Sequence, residues 1–550
     1  MVYSSLYQTG VFAERRGTFC AFVFLPAHMI PHIRLLHKGR KARFLEFCKK
    51  EAAPVEREKP VLAIDLGASS GRAMLVWTEA GGLRLEEVHR FANQPVSVAG
   101  RLYWDLLRLV HEIKQGMIKA QAAGGFAAVG IDTWGVDYGL LDKRGRLLQN
   151  PVHYRDTRTE GQVEKVRAKI SDQALYGRTG IQQMRINTLY QLTAGLEEEP
   201  ELLAAADGLL LIPDLLAYFL TGVRRTEYTN ASTTGLLNPN TRDWDGELLE
   251  LLGIPKHLFA PFIYPGEAYG PLSDGVCEET GCPPVPVLAV GSHDTASAVA
   301  AIPAPAGESI AYISCGTWSL FGTELNGPVL SGQSAAAHFT NEAGVGGSIR
   351  YLRNIMGLWR AQQSRAHWER QGQDGSYTLL DAETEAAAPF LSYIDPDDPR
   401  YEQPGDLPAR IREFCRQTGQ PVPADRGAVL RCIYQSLALK YRYTLRRMER
   451  LTGERYGRIY MIGGGIKDTL LCRMTASACR VEVSAGPAEA TASGNGGVQL
   501  MALGRLQDLA ALRQAVAAGT EVKRYQPEEP EAWDSAYQTF LEICHLQEDA

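Results

Sequence analysis

The chain predicts an α/β protein built of two related halves that face a central cleft. Three stretches carry this expectation. VLAIDLGASSGRAMLVWT, from Val61, has an apolar strand, a Gly/Ser turn and a second strand. SIAYISCGTWSLFGTEL, from Ser309, repeats that arrangement. RIYMIGGGIKDTLL, from Arg458, runs a strand into a glycine triplet and a helix start.

In chain order, residues 1–58 carry ten Lys/Arg against five Asp/Glu within a chain of net charge -6. Arg15 and Arg16 precede TFCAFVFLPA, which has the outline of a secretory or twin-arginine signal. That stretch is too short to span a bilayer, is interrupted by Pro26 and lacks a small-residue cleavage site. HIRLLHKGRKARFLEFCKK has the make-up of a basic amphipathic helix, but the expectation for 1–58 is a poorly ordered basic extension, with the functional chain beginning near Lys59.

The first half, 59–302, opens with strands at Val61 to Asp65 and Ala73 to Thr78, followed by the alternating run LRLEEVHRF. A helix from Trp104 to Ala123 then leads into FAAVGID, a strand ending at Asp132. IPAPAG, at 302–307, breaks the helix begun at His293 and marks the boundary with the second half, 303–550. Clustered Pro, Asp and Gln over 371–425 predict surface excursions.

At 550 residues the chain exceeds what one core holds. Its net charge provides no basic field, so neither nucleic acid nor a membrane surface is an expected partner. The ten cysteines show no CxxC pair or metal-ligand spacing, as in a cytoplasmic protein with reduced thiols; Cys277 and Cys282, or Cys415 and Cys432, could meet in space.

DLGASSGR, from Asp65 to Arg72, can bring backbone N–H groups and hydroxyls close to an anion, and an acid at a strand end can hold a divalent cation. A plain β-turn fits the same residues equally. CGTWSL, from Cys315, is the matching turn, and the two together form a two-sided phosphate clamp. GGGIKDT, from Gly463, lets a flat ring approach the backbone, yet it is not GxGxxG, and no GxxxxGK[ST] occurs. IDTWGVDYG and PVHYRDTRT are loops dense in polyol-binding groups, with Trp134 to cover a sugar face and carboxylates and Arg155 to bond hydroxyls; alternatively, Asp132 and Asp137 only cap turns. In SHDTASAV, Asp294 stands where a helix starts, as an N-cap or, between His293 and Thr295, as a ligand-binding group.

Taken in order, IDLGASSGR, GIDTWGVDYGLLD, PVHYRDTRT, NTLYQL, EYTNASTTGLLN, SHDTASAV, SCGTWSL, NIMGLW and IGGGIKDTLL resemble the rhamnulokinases, within the FGGY carbohydrate kinases of the actin and sugar-kinase superfamily. The resemblance runs collinearly from about residue 60 to about residue 505 and implies an RNase H-like, actin-like ATPase core in each half. It implies ATP and Mg²⁺ as cofactors, a sugar as substrate, and a monomer or small homo-oligomer.

By the same resemblance, Ala68, Ser69, Ser70, Gly71, Arg72 and Thr317 would contact phosphates, with Gln362 and Gly464 on the nucleotide side. Asp65 would face Mg²⁺ through water. Gly135, His293, Asp294, Thr295 and Asn354 would hold the ketose. Asp294 would act as base in phosphorylating L-rhamnulose at O1, to L-rhamnulose 1-phosphate and ADP, in L-rhamnose catabolism. The FGGY signature with Lys and Trp is not evident near NTLYQL, and Asp468 stands where relatives often have Asn, adding a negative charge near the nucleotide. The alternatives are a kinase for another ketose, such as L-fuculose, and a non-catalytic actin-like nucleotide switch.

Overall fold

The computed structural model describes residues 58–548, so the basic extension expected over 1–58, apart from Glu58, lies outside the described residues. From Lys59 onward the chain is one compact unit containing two large sheets. The six-stranded sheet has the order Ala268–Pro271, Pro286–Leu288, Val129–Thr133, Val61–Leu66, Ser70–Glu79, Gly82–Ala92. The seven-stranded sheet runs Thr340–Ala343, Ile349–Met356, Trp318–Leu325, Ala311–Cys315, Arg458–Ile462, Glu482–Ala485, Lys523–Tyr525.

Each sheet repeats one motif at its centre. Val61–Leu66 pairs antiparallel with Ser70–Glu79 and parallel with Val129–Thr133. Ala311–Cys315 pairs antiparallel with Trp318–Leu325 and parallel with Arg458–Ile462. Apart from Asp65 and the half-buried Ser314, the two central strands are apolar and buried on both faces, as expected of strands covered by helices on either side. One such helix is Leu106–Ala122, where Leu106, Leu109, Ile113, Met117 and Ala120 recur at helical spacing and turn to the core. Asp105 caps it by accepting from the Arg108 N–H. Burial of each large side chain in that stripe contributes about 1.5–3 kcal/mol.

The C-terminal helices do not all stay with the second sheet. Ala490–Ala502 and Leu509–Gly519 bring Ala492, Val498, Leu500, Leu512 and Val516 into one core with Val61, Ala63 and Val76 of the first sheet. Ala490–Ala502 also packs closely on the helix Asp294–Ala300. A Cβ at Gly494 would lie 1.8 Å from the Ser297 carbonyl oxygen, so only glycine allows these helices to approach so closely.

The expectation of surface excursions over 371–425 is overturned. The segment contains the helices Tyr377–Ala386 and Leu407–Gln417, and Leu380, Tyr393, Tyr401, Ile411 and Phe414 are buried with the long helix Arg426–Thr452. Several of its Pro and Asp residues sit at helix starts, where Asp406 caps and Pro408 follows in the first turn, so they punctuate a packed layer. All eight described cysteines are free thiols. Cys415 and Cys432 do meet: the contact pulls the Cys415 thiol down and, with burial, pushes that of Cys432 up.

Candidate active site

Both hairpin turns open onto one cleft of about 890 Å³. In the first, Gly67 N–H donates to the Ser70 carbonyl at 2.9 Å, and Asn93, just past the third strand, clasps the loop through Gly67 O and Ser69 O. Ala68 and Ser69 are thereby left exposed at the tip. Gly67, Ala68, Ser69, Ser70 and Arg72 line the cleft, whereas the Cα of Gly71 faces Phe91 on the packed side. In the second turn, Gly316 N–H donates to Trp318 O at 2.8 Å, and the Thr317 hydroxyl donates to Gln362 Oε1 at 3.2 Å. Two residues assigned separately to phosphate and nucleotide thus sit together on the opposite wall.

Behind the first turn lies a cluster of carboxylates. Asp65 is opposite Asp132 in the parallel pairing and opposite Arg72 in the antiparallel one. Arg72 is held between Asp65, at 2.6 Å, and Glu489. Burial pushes the Asp65 carboxyl up to about 6, with Arg72 pulling the other way. Burial and the neighbouring Asp65 also push Asp132 well up; its Oδ2 accepts from Asn495 at 2.6 Å, but its buried Oδ1 has no partner. A buried carboxylate oxygen without a donor, beside a second carboxylate, fits a divalent cation held through water. Among the described residues no three His, Cys, Asp or Glu form a direct metal cage.

Asp294 occupies a different environment. It is the first residue of the helix Asp294–Ala300; His293 takes the N-cap position and makes no side-chain cap bond. The N-cap reading of Asp294 is therefore corrected: its Oδ1 accepts from the Thr295 hydroxyl at 3.0 Å, and its side chain is 31% exposed to the cleft. At the helix start, a negative charge is favoured. The loop bearing it is fixed from below by buried Glu227, which accepts from Ser292 N–H and hydroxyl as well as from the Thr229 and Asn230 N–H groups.

Gly135, His293, Asp294, Thr295 and Asn354 all line the cleft, and Asn354 donates to Gln182 Oε1 at 3.3 Å. Other polar groups of the predicted polyol loops turn inward. Asp137 Oδ2 accepts from the indoles of Trp104, at 2.6 Å, and Trp134, at 2.9 Å, while Oδ1 accepts from Gln191. Asp156 accepts from Leu102 N–H, and His153 stacks on Trp104 with its pKa pushed down to about 3 by burial and by Arg155. Arg155 lies over Trp359, 5.0 Å from its ring centroid. What those loops present to the cleft is Trp134 and Tyr154, together with Gly135 and Val136.

In the glycine triplet, a Cβ at Gly464 would meet open space, whereas one at Gly465 would lie 2.4 Å from Cys315 Sγ. Asp468 caps the helix Thr469–Cys479, accepting from Leu471 N–H at 2.9 Å, and burial raises its pKa. Its carboxylate thus serves the helix end. Glu342 and Arg350, which approach His293 from the second sheet, carry no local sequence signal and were reachable only through the fold.

The N-terminal domain of the FGGY family of carbohydrate kinases matches residues 60–301, and its C-terminal domain matches 311–503. A rhamnulokinase of Bacteroides thetaiotaomicron is 45% identical over 476 residues, 86% of this chain and 97% of that one. Rhamnulokinases of Pectobacterium atrosepticum and Enterococcus faecalis are 43% and 41% identical, over 85% and 89% of this chain and 93% and 99% of theirs. In fold alone, the chain is similar to a xylulose kinase from Rhodospirillum rubrum, with a TM-score of 0.71 at 19% identity over 88% of this chain and 98% of that one. A glycerol kinase from Plasmodium falciparum has a TM-score of 0.70 at 13% identity, over 89% and 98%. No helix among the described residues is long and apolar enough to cross a membrane.

Proposed function

The chain belongs to the FGGY family of carbohydrate kinases, among whose rhamnulokinases it has relatives at 41–45% identity, and we propose that it transfers the γ-phosphoryl group of ATP to O1 of L-rhamnulose. The products are L-rhamnulose 1-phosphate and ADP, formed in the cytoplasm during L-rhamnose catabolism. The observation that carries this reading is the position of Asp294, a partly exposed carboxylate in the cleft shared by both phosphate-type turns.

The chain's own groups divide the work. Asp294 accepts the proton of the sugar's primary hydroxyl as that oxygen attacks the γ-phosphorus and the bond to the ADP oxygen breaks. Because Oδ1 is engaged by Thr295, Oδ2 is left for the hydroxyl. Gly135, His293, Asn354 and the face of Trp134 hold the ketose so that this oxygen is in line. The backbone of Ala68 to Ser70, with the Ser69 and Ser70 hydroxyls, Arg72 and the Thr317 hydroxyl, receives charge on the phosphates, while Gln362 and Gly464 flank the nucleoside. Asp65 and Asp132 are the residues that would hold the water shell of Mg²⁺, which would supply charge neutralisation to the phosphates of the nucleotide.

A panel of ketoses in an ADP-coupled assay tests the assignment. The highest kcat/KM is expected on L-rhamnulose; equal or better turnover of L-fuculose would overturn it. Nucleotide binding without phosphorylation of any ketose would point to a nucleotide switch.

A further inference from the structure

We propose that Arg350 and Glu342 are positioning residues that keep the proton of His293 on Nε2, creating a donor that reads the oxygen on the carbon next to the reacting hydroxyl. This rests on the ketose kinase reading above and extends it to how the substrate is recognised.

Arg350 Nη2 lies 3.0 Å from His293 Nδ1 in hydrogen-bond geometry. A guanidinium can only donate, so Nδ1 must accept. A neutral imidazole carries a single N–H, and with Nδ1 accepting, that proton is on Nε2. Nε2 stands 3.6 Å from Asp294 Oδ1, and both residues line the cleft. The protein therefore offers a hydrogen-bond donor and a hydrogen-bond acceptor side by side. A 1-hydroxy-2-ketone or its hemiketal presents the complement: the primary hydroxyl donates to Asp294, and the oxygen on the adjacent carbon accepts from His293.

Arg350 is well placed to impose this tautomer. It is 0% exposed, its Nε donates to Ala343 O at 2.9 Å, and its Nη2 lies 3.1 Å from Glu342 Oε2. Burial works against the Glu342 charge, yet the guanidinium first and His293 second hold that carboxyl below its usual range, so Glu342 balances Arg350 as an ionised partner. Glu342 Oε2, 3.2 Å from Nδ1, is the competing acceptor for a proton there, but that contact is poorly directed, whereas the one from Arg350 Nη2 at 3.0 Å is well directed and favours an accepting Nδ1. Glu342 and Arg350 are cross-strand neighbours in the second sheet, whereas His293, at the helix N-cap, bridges to Thr133 of the first. The second half of the chain thus sets the chemistry of a group beside the base in the first half.

The direct test is the ¹⁵N spectrum of the full-length protein labelled at histidine nitrogens, with His293 assigned by its loss in His293→Asn. The expected result near neutral pH is a protonated Nε2 and an unprotonated Nδ1; a proton on Nδ1, or on both nitrogens, would overturn the proposal. Kinetics supply a second readout. The charge-balanced double variant Arg350→Met/Glu342→Gln is expected to lower kcat for the ketose about tenfold to a hundredfold, to leave KM for ATP within about twofold, and to show a mixed tautomer. Arg350→Lys, which keeps a donor, should recover most of the loss. A double variant with native kcat and an unchanged spectrum would contradict the inference. If no ketose is turned over, the substrate reading fails while the native spectrum still decides the tautomer; if the ketose is turned over and Nδ1 carries the proton, only the positioning role fails.

Discussion

The two hairpins share one frame and carry different chemistry. In the first half, Asp65 stands opposite Arg72 on one side and Asp132 on the other. In the second, the corresponding Ser314 stands opposite Leu320 and Ile462. Where the first half places three ionisable groups, the second places a hydroxyl and two apolar side chains, followed by glycines that open the wall. Repetition of strand order thus fixes where both turns meet the cleft, and the side chains at matched register positions decide which wall carries charge and which is apolar.

The largest effect that would break this division is at Asp294. Asp294→Ala is expected to lower kcat about a thousandfold, the range a positioned base supplies, while ATP and sugar affinities measured by calorimetry stay within about threefold. Near-native turnover would reduce Asp294 to a structural residue. Next comes the matched pair: Asp65→Asn should cost about a hundredfold in kcat and Ser314→Ala less than about threefold, because only the first removes charge from the phosphate side. Equal losses in a steady-state assay would erase the asymmetry. Within the glycine triplet, Gly465→Ala forces a Cβ to within 2.4 Å of Cys315 Sγ. A destabilisation of about 1–3 kcal/mol with a raised KM for ATP is expected, against under about 0.5 kcal/mol for Gly464→Ala; thermal unfolding and ATP titration separate the two.

The smallest effect concerns Asp137, a first-half carboxylate that serves the fold. Its folded pKa is raised from 3.8 to about 6 by burial, against the donors that hold it. A raised folded pKa contributes stability that is complete below about 3.8 and is lost as pH rises through about 6. The native protein should therefore exceed Asp137→Asn in Tm by more at pH about 4.5 than at about 7.5, a dependence expected from the linkage relation. A gap independent of pH would show that this carboxyl titrates normally.

Much of this was legible from local pattern. The strands, both turns and the helix from Leu106 follow from periodicity and glycine placement over short stretches, and every candidate site residue except Asp65 and Gly71 lines the cleft. The errors have physical causes. Asp294 was a candidate cap because an acid before a small-residue run has that pattern; the helix starts one residue earlier than such a cap requires, with His293 in the flanking position. The carboxylates Asp156 and Asp137 fit hydroxyl binding or turn capping equally because composition does not reveal the direction of a side chain; in the fold they satisfy indoles and backbone N–H groups. The pairing of Glu342 and Arg350 with His293 joins positions about fifty residues or more apart, and no short-range spacing encodes it.

The most direct measurement of the central claim is the position of phosphate in the product formed from L-rhamnulose, ATP and Mg²⁺. A phosphorus–proton correlation spectrum is expected to couple the new phosphate to the two methylene protons on C1, with ADP formed in equal amount. Coupling to a single methine proton, or ADP released without any sugar phosphate, would contradict the account.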